Sequence, residues 1–221
     1  MNFDINAVMQ GISIWALPVL FAVILHEVAH GWVADKLGDD TARWMGRLTL
    51  NPIKHIDPIG TILIPIVLLV MQSPFLFGYA KPVPVNFRKL SSPKRDMIWV
   101  ALAGPLTNLT LAILSAVVLM IAVHMPESML WAAKPLALMA QASILINMVL
   151  MVFNLIPLPP LDGGRVAVGL LPSNLSYQLS RLEPYGFIII VVLLMMGWLQ
   201  TLISPVVVGV SEYLINWAIS F

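Results

Sequence analysis

Five or six stretches of the chain are apolar over lengths that compete for a membrane span, and nothing else limits its fold as strongly. A bilayer core about 30 Å thick takes roughly 20 apolar residues of helix. Backbone groups in lipid must be satisfied inside the protein, so such runs are helices. They fall at Ile12 to Ala34, Met97 to Val123, Pro135 to Ile156 and Tyr185 to Leu199, with Leu202 to Phe221 as a last one. Composition agrees: of 221 residues 59% are hydrophobic and 10% charged, and the mean hydropathy is +0.91. Soluble domains are about one-quarter charged. The expected class is an all-α polytopic membrane protein, one domain over residues 1–221 with its core at 12–165 and C-terminal helices at 185–221. The first ten residues hold no Lys or Arg, so a retained first span is expected rather than a cleaved signal peptide. No repeat, low-complexity tail or room for an attached regulatory domain is evident.

A net charge of +1 gives no reason to expect nucleic acid as a partner. The absence of cysteine excludes disulfides, thiolate metal sites and a cysteine nucleophile. Any metal site must therefore use His, Asp or Glu.

Another apolar run, Ile59 to Met71, is short for a span and is bracketed by "DPIG" and "QSPFLFG". The basic residues bear on what it does. Nine of the twelve lie between Asp35 and Met97: Lys36, Arg43, Arg47, Lys54, Lys81, Arg88, Lys89, Lys94 and Arg95. If the run crossed the membrane, this set would split four and five between opposite faces, and the positive-inside bias would nearly vanish. A re-entrant hairpin keeps all nine on the cytoplasmic side and places the N-terminus outside.

The first span carries "LHEVAHG", Leu25 to Gly31, where two imidazoles and a carboxylate are costly without partners. His26 and His30 are four apart and share a helix face, and Glu27, one residue along, can reach a water beside an ion held between them. That is the zinc-hydrolase arrangement, which needs a third ligand and an open position. The alternative is a set of polar residues bonding neighbouring helices, or a proton pathway. Among the remaining acids Asp162 stands out. It ends "FNLIPLPPLDGG", where three prolines break the preceding helix and two glycines free the backbone to turn. With the short run re-entrant, Asp162 arrives on the same membrane face as His30; with that run as a span, it would sit on the opposite face.

"HEVAH", "GPLTN" at Gly104 to Asn108 and "NLIPLPPLDGG" at Asn154 to Gly164 together resemble the site-2 protease family of intramembrane zinc metalloproteases. "GRLTLNP", "HIDPIGT" and "GYAKPVPVN" resemble a compact bacterial branch without PDZ or CBS domains. The resemblance spans roughly Leu25 to Tyr185. It implies one Zn²⁺ per chain bound by His26, His30 and Asp162, Glu27 as general base, and Asn154 as a residue that positions substrate or its developing oxyanion. It also implies a membrane-protein substrate with a transmembrane segment, a site nearer the cytoplasmic face, and residence in a bacterial inner membrane.

An intramembrane protease must unwind its substrate, because a helical carbonyl is bonded and packed. "GRLTLN" alternates in character from Arg47 to Asn51, and "KPVPVN" from Lys81 to Asn86 is held extended by its prolines. One of them is expected to pair with substrate by strand addition; the alternative is that both cover the re-entrant run. Gly104 and Asn108 read as close helix packing rather than substrate contact, and His55 and Asp57 as loop caps. Two rival functions remain at this level, a catalytically silent helix-binding adaptor and an ion or proton transporter using the His/Asp cluster.

Overall fold

The computed structural model describes residues 5–71 and 78–220, and the 72–77 part of the flank "QSPFLFG" lies outside them. Helix α1 (Ile5–Lys36) runs through Pro18, and a single turn α2 (Thr41–Trp44) follows. A wide helical turn at Pro58–Leu63 leads into α3 (Ile64–Val70). Then come α4 (Pro93–Val123), α5 (Leu130–Asn154), α6 (Asp162–Leu170), α7 (Ser173–Ser180), α8 (Glu183–Met195) and α9 (Trp198–Ile219). No strand occurs among the described residues.

Four helices, α1, α4, α5 and α9, are long and apolar enough to cross a membrane. Helices α7 and α8, bent by 63° at their junction, make a fifth if taken as one span. The chain is a multi-pass integral membrane protein, and this count meets the lower end of the expected five or six.

Helix α4 sits at the centre and packs on α1, α5, α6 and α9. Its buried face is mostly small: Ala101, Gly104, Ala112, Ala116 and Ala122. Apolar burial does little to drive helices together in lipid, so close backbone approach supplies the contact. Ala116 and Leu119 meet Ala140, Ile144 and Ala218 in one cluster, and Ala112 meets Met148 and Val207 in another.

The two flanks of the short run meet. Asp57 accepts from the N–H groups of Ile59 and Gly60 at its start. The chain then returns to the same place, with the Tyr79 N–H donating to Gly60 O at 3.1 Å and Thr61 Oγ1 donating to Tyr79 O at 2.9 Å. Residues 58–70 would make about 20 Å of helix at ~1.5 Å per residue, short of a bilayer core. His55 Nε2 donates to Thr49 O; like Asp57, it braces the loop.

Neither segment singled out for strand addition forms a strand. Residues 46–51 form a turn and an irregular stretch, with Gly46 at φ +61. Residues 79–85 form no regular element, and their Tyr79, Lys81 and Val83 N–H groups bond Gly60 O, His55 O and Glu27 of α1. Arg47, buried to 6% exposure, donates from its guanidinium to Lys81 O at 2.8 Å and to Pro82 O at 3.3 Å, pinning the two segments together.

Candidate metal centre

His26 and His30 face α4 from one side of α1, as their four-residue spacing requires. The His26 Nδ1–H donates to Asn108 Oδ1 at 2.6 Å, and the His30 Nδ1–H donates to Val100 O at 2.7 Å. With both Nδ1 atoms serving as donors, both Nε2 atoms carry lone pairs. These lone pairs converge. The two Nε2 atoms are 3.0 Å apart and lie 3.2 and 3.3 Å from Asp162 Oδ2.

Gly104 makes the room. A Cβ there would collide with His30 Nε2 and with the His26 ring. This corrects the expectation that Gly104 and Asn108 serve helix packing: the first clears space for both imidazoles and the second holds one of them.

Asp162 opens α6 immediately after the turn built by Pro157, Pro159 and Pro160. A Cβ on Gly163 or Gly164 would run into the backbone of residues 155–159, so this turn closes on itself only with glycines there. The carboxylate is held against the histidines, with Oδ2 buried and lacking a donor.

Three acceptors facing one another without a proton between them repel, and a cation among them removes the conflict. The arrangement fits zinc in kind and in size. Two imidazoles and a carboxylate are hydrolase-type ligands, and bonds of about 2.0–2.1 Å in a tetrahedral site set neighbouring ligand atoms about 3.3 Å apart.

The trio floors a cavity of about 440 Å³ that Glu27, Asn154, Val83 and Arg165 also line. Glu27 Oε2 accepts from the Val83 N–H at 2.8 Å. Asn154, at the end of α5, donates from Nδ2 to Leu150 O at 2.9 Å. All five residues singled out in the sequence therefore border one cavity. Asn108 and Asn147 were missed as site residues, although a buried Asn in an apolar helix is itself a signal.

The description "Peptidase family M50" matches residues 14–128 and 119–197. Curated relatives bear the name "Putative zinc metalloprotease". YwhC of Bacillus subtilis strain 168 is 44% identical over 179 residues, 80% of this chain and 78% of its own. Rip2 of Mycolicibacterium smegmatis is 28% identical over 203 residues, 89% and 74% of the two chains. Rip2 of Mycobacterium tuberculosis H37Rv is 27% identical over 183 residues, 81% and 67%. No solved structure matches the chain.

Proposed function

The chain belongs to peptidase family M50 and is a membrane zinc metalloendopeptidase; from that premise we propose that it hydrolyses peptide bonds within the transmembrane segments of other membrane proteins. The observation that carries the reading is the convergence of His26 Nε2, His30 Nε2 and Asp162 Oδ2 on the floor of a cavity that Glu27 also lines. We assign these three as the metal ligands, one ion per chain. When bound, zinc supplies Lewis acidity, which acidifies a water and polarises a carbonyl.

The side chains then have defined tasks. Glu27 takes a proton from the attacking water and passes it to the departing amine nitrogen. The Val83 N–H holds one carboxylate oxygen of Glu27 and leaves the other to face the cavity. Asn154, its amide tethered to α5, lies where it can steady the substrate carbonyl as negative charge develops. His26 and His30 are oriented to offer Nε2 to the ion, because each Nδ1–H is committed to an acceptor.

Of the two candidate strand partners, 81–86 borders the cavity through Pro82, Val83 and Val85. It is the segment proposed to receive unwound substrate. The Tyr79, Lys81 and Val83 N–H groups are spent on Gly60 O, His55 O and Glu27, and Pro82 and Pro84 have none. The Tyr79, Lys81 and Pro82 carbonyls also accept from Thr61 and Arg47, so substrate laid there meets few open groups, carbonyls more than N–H groups.

His30 lies six residues before Lys36, the end of α1, which is about 9 Å at ~1.5 Å per residue. The nine basic residues of 36–95 favour placing that end at the cytoplasmic face of a bacterial inner membrane. Water reaches the site from there.

The test is mass spectrometry of a single-span peptide incubated with the purified full chain and with Glu27→Gln. Cleavage inside the apolar segment by the wild type alone is the expected result. Metal-dependent ion flux in liposomes with no cleavage product overturns the reading in favour of a transporter. Substrate capture with zinc bound and no cleavage by either protein turns it toward the adaptor.

A further inference from the structure

A line of buried amides and hydroxyls runs from His26 into the interface of α4 and α5. Asn108, fully buried, donates from Nδ2 to Ala22 O at 3.2 Å and to Asn147 Oδ1 at 2.8 Å. Asn147, 1% exposed, donates from Nδ2 to Ser143 O at 2.8 Å. Farther along, the Ser115 and Ser143 hydroxyls lie 2.7 Å apart. Each amide has two different ends, and here each end is assigned. Ser143 O accepts only, so it fixes Asn147 with Oδ1 toward Asn108. That oxygen and Ala22 O accept only, so they fix Asn108 with Nδ2 toward them. Oδ1 is left for His26.

We propose that Asn108 and Asn147 are a positioning pair for the metal centre, reading out as one choice: the His26 tautomer with Nδ1 protonated and Nε2 free. Were the Asn108 amide reversed, its NH₂ would meet Nδ1, the proton would move to Nε2, and the atom facing His30 and Asp162 would be a donor unable to bind a metal. His30 needs no such device, since a backbone carbonyl, Val100 O, holds its Nδ1–H. Asn147 touches none of the converging atoms and acts two hydrogen bonds away. This inference rests on the ligand set proposed above.

The experiment measures zinc affinity by chelator competition, and the visible spectrum of the cobalt(II)-substituted form, on the full chain in detergent. Asn108→Leu is expected to weaken zinc by about 10- to 100-fold, the usual range for a partner behind a metal-binding histidine. Asn147→Leu weakens it in the same direction by less, because Ala22 O still orients Asn108, and it alters the cobalt spectrum. Asn147→Ala, smaller and free of clashes, is read alongside and shows the same weakening. Asn147→Asp restores affinity: a protonated carboxyl offers C=O to Asn108 and O–H to Ser143 O, as the amide offers its two ends. Ser115→Ala removes a bond of the same interface that reaches Asn147 only through the Ser143 hydroxyl, and it leaves zinc affinity unchanged because Ser143 O still fixes Asn147.

Zinc affinity and cobalt spectra like those of the wild type in the Leu and Ala variants overturn the proposal. So does an equal loss in Ser115→Ala, which would make the effect one of packing. His26→Ala separates the two layers. If it abolishes zinc binding while Asn108→Leu and Asn147→Leu bind normally, only the pair falls; if it leaves binding intact, the ligand set falls and the pair with it.

Discussion

Replacing Glu27 by Gln keeps the size of the side chain and removes its basicity. Zinc content should stay near one per chain while cleavage drops by about 10²- to 10⁴-fold, the usual worth of a general base; metal analysis beside product quantification reads both. Asp162→Ala should do the reverse at its first step and lose the metal. Gly104→Ala is the sharper probe, because the change is one methyl group placed against both imidazoles. It should abolish zinc binding while circular dichroism remains helical, and retention of full zinc affinity would show that α4 shifts at little cost. At this scale the sequence was informative wherever a rule links neighbours: four-residue spacing joins His26 to His30, and a proline-broken helix followed by glycines marks Asp162. It did not give the roles of Asn108 and Asn147, which depend on contacts 82 and 39 residues apart.

Between helices, the decisive element is the extended stretch that ends at Asn86. Its prolines announced the conformation, yet not its partners, because extended backbone is compatible with a strand, a brace or a lid. Arg47 misled the strand reading of 46–51 for a related reason. An alternation over so few residues cannot separate a pleated strand from a turn that sends one Arg inward to clamp a neighbouring loop. Val83 offers a clean test of the brace. Val83→Pro extends the run of prolines and deletes the N–H that holds Glu27 together with the buried valine side chain, whereas Val83→Ala trims the same side chain and keeps the N–H. We expect kcat to fall about tenfold or more in the first relative to the second, the worth of a hydrogen bond to a charged group, with KM little changed between them. Photocrosslinkers at 81–86 should capture substrate, and those at 46–51 should not.

For the molecule as a whole, the absence of cysteine makes topology directly measurable. Single cysteines replacing Lys54 and Arg88, on either flank of the hairpin, should react from the same side of the membrane, and one replacing Ser128 from the other; labelling of Lys54→Cys and Arg88→Cys from opposite sides would make the short run a span. Removing zinc with a chelator should abolish cleavage and lower thermal stability, by about 4 kcal/mol if zinc stood at a thousand times its Kd. The class and the four long spans followed from hydropathy, and charge counting made the hairpin an expectation with which the Gly60–Tyr79 contact agrees. Helix α7 and its bend against α8 did not, because Ser173–Ser180 is short and polar and precedes the apolar run that starts at Tyr185. The stretch Tyr79 to Pro84, with its N–H groups at Tyr79, Lys81 and Val83 and its carbonyls at Tyr79, Lys81 and Pro82 already bonded within the protein, bears on turnover. If substrate lies along it as proposed, an edge with so few open groups would grip each cut half at few points and let it leave readily, and a second copy of the enzyme finds no full ladder on which to stack.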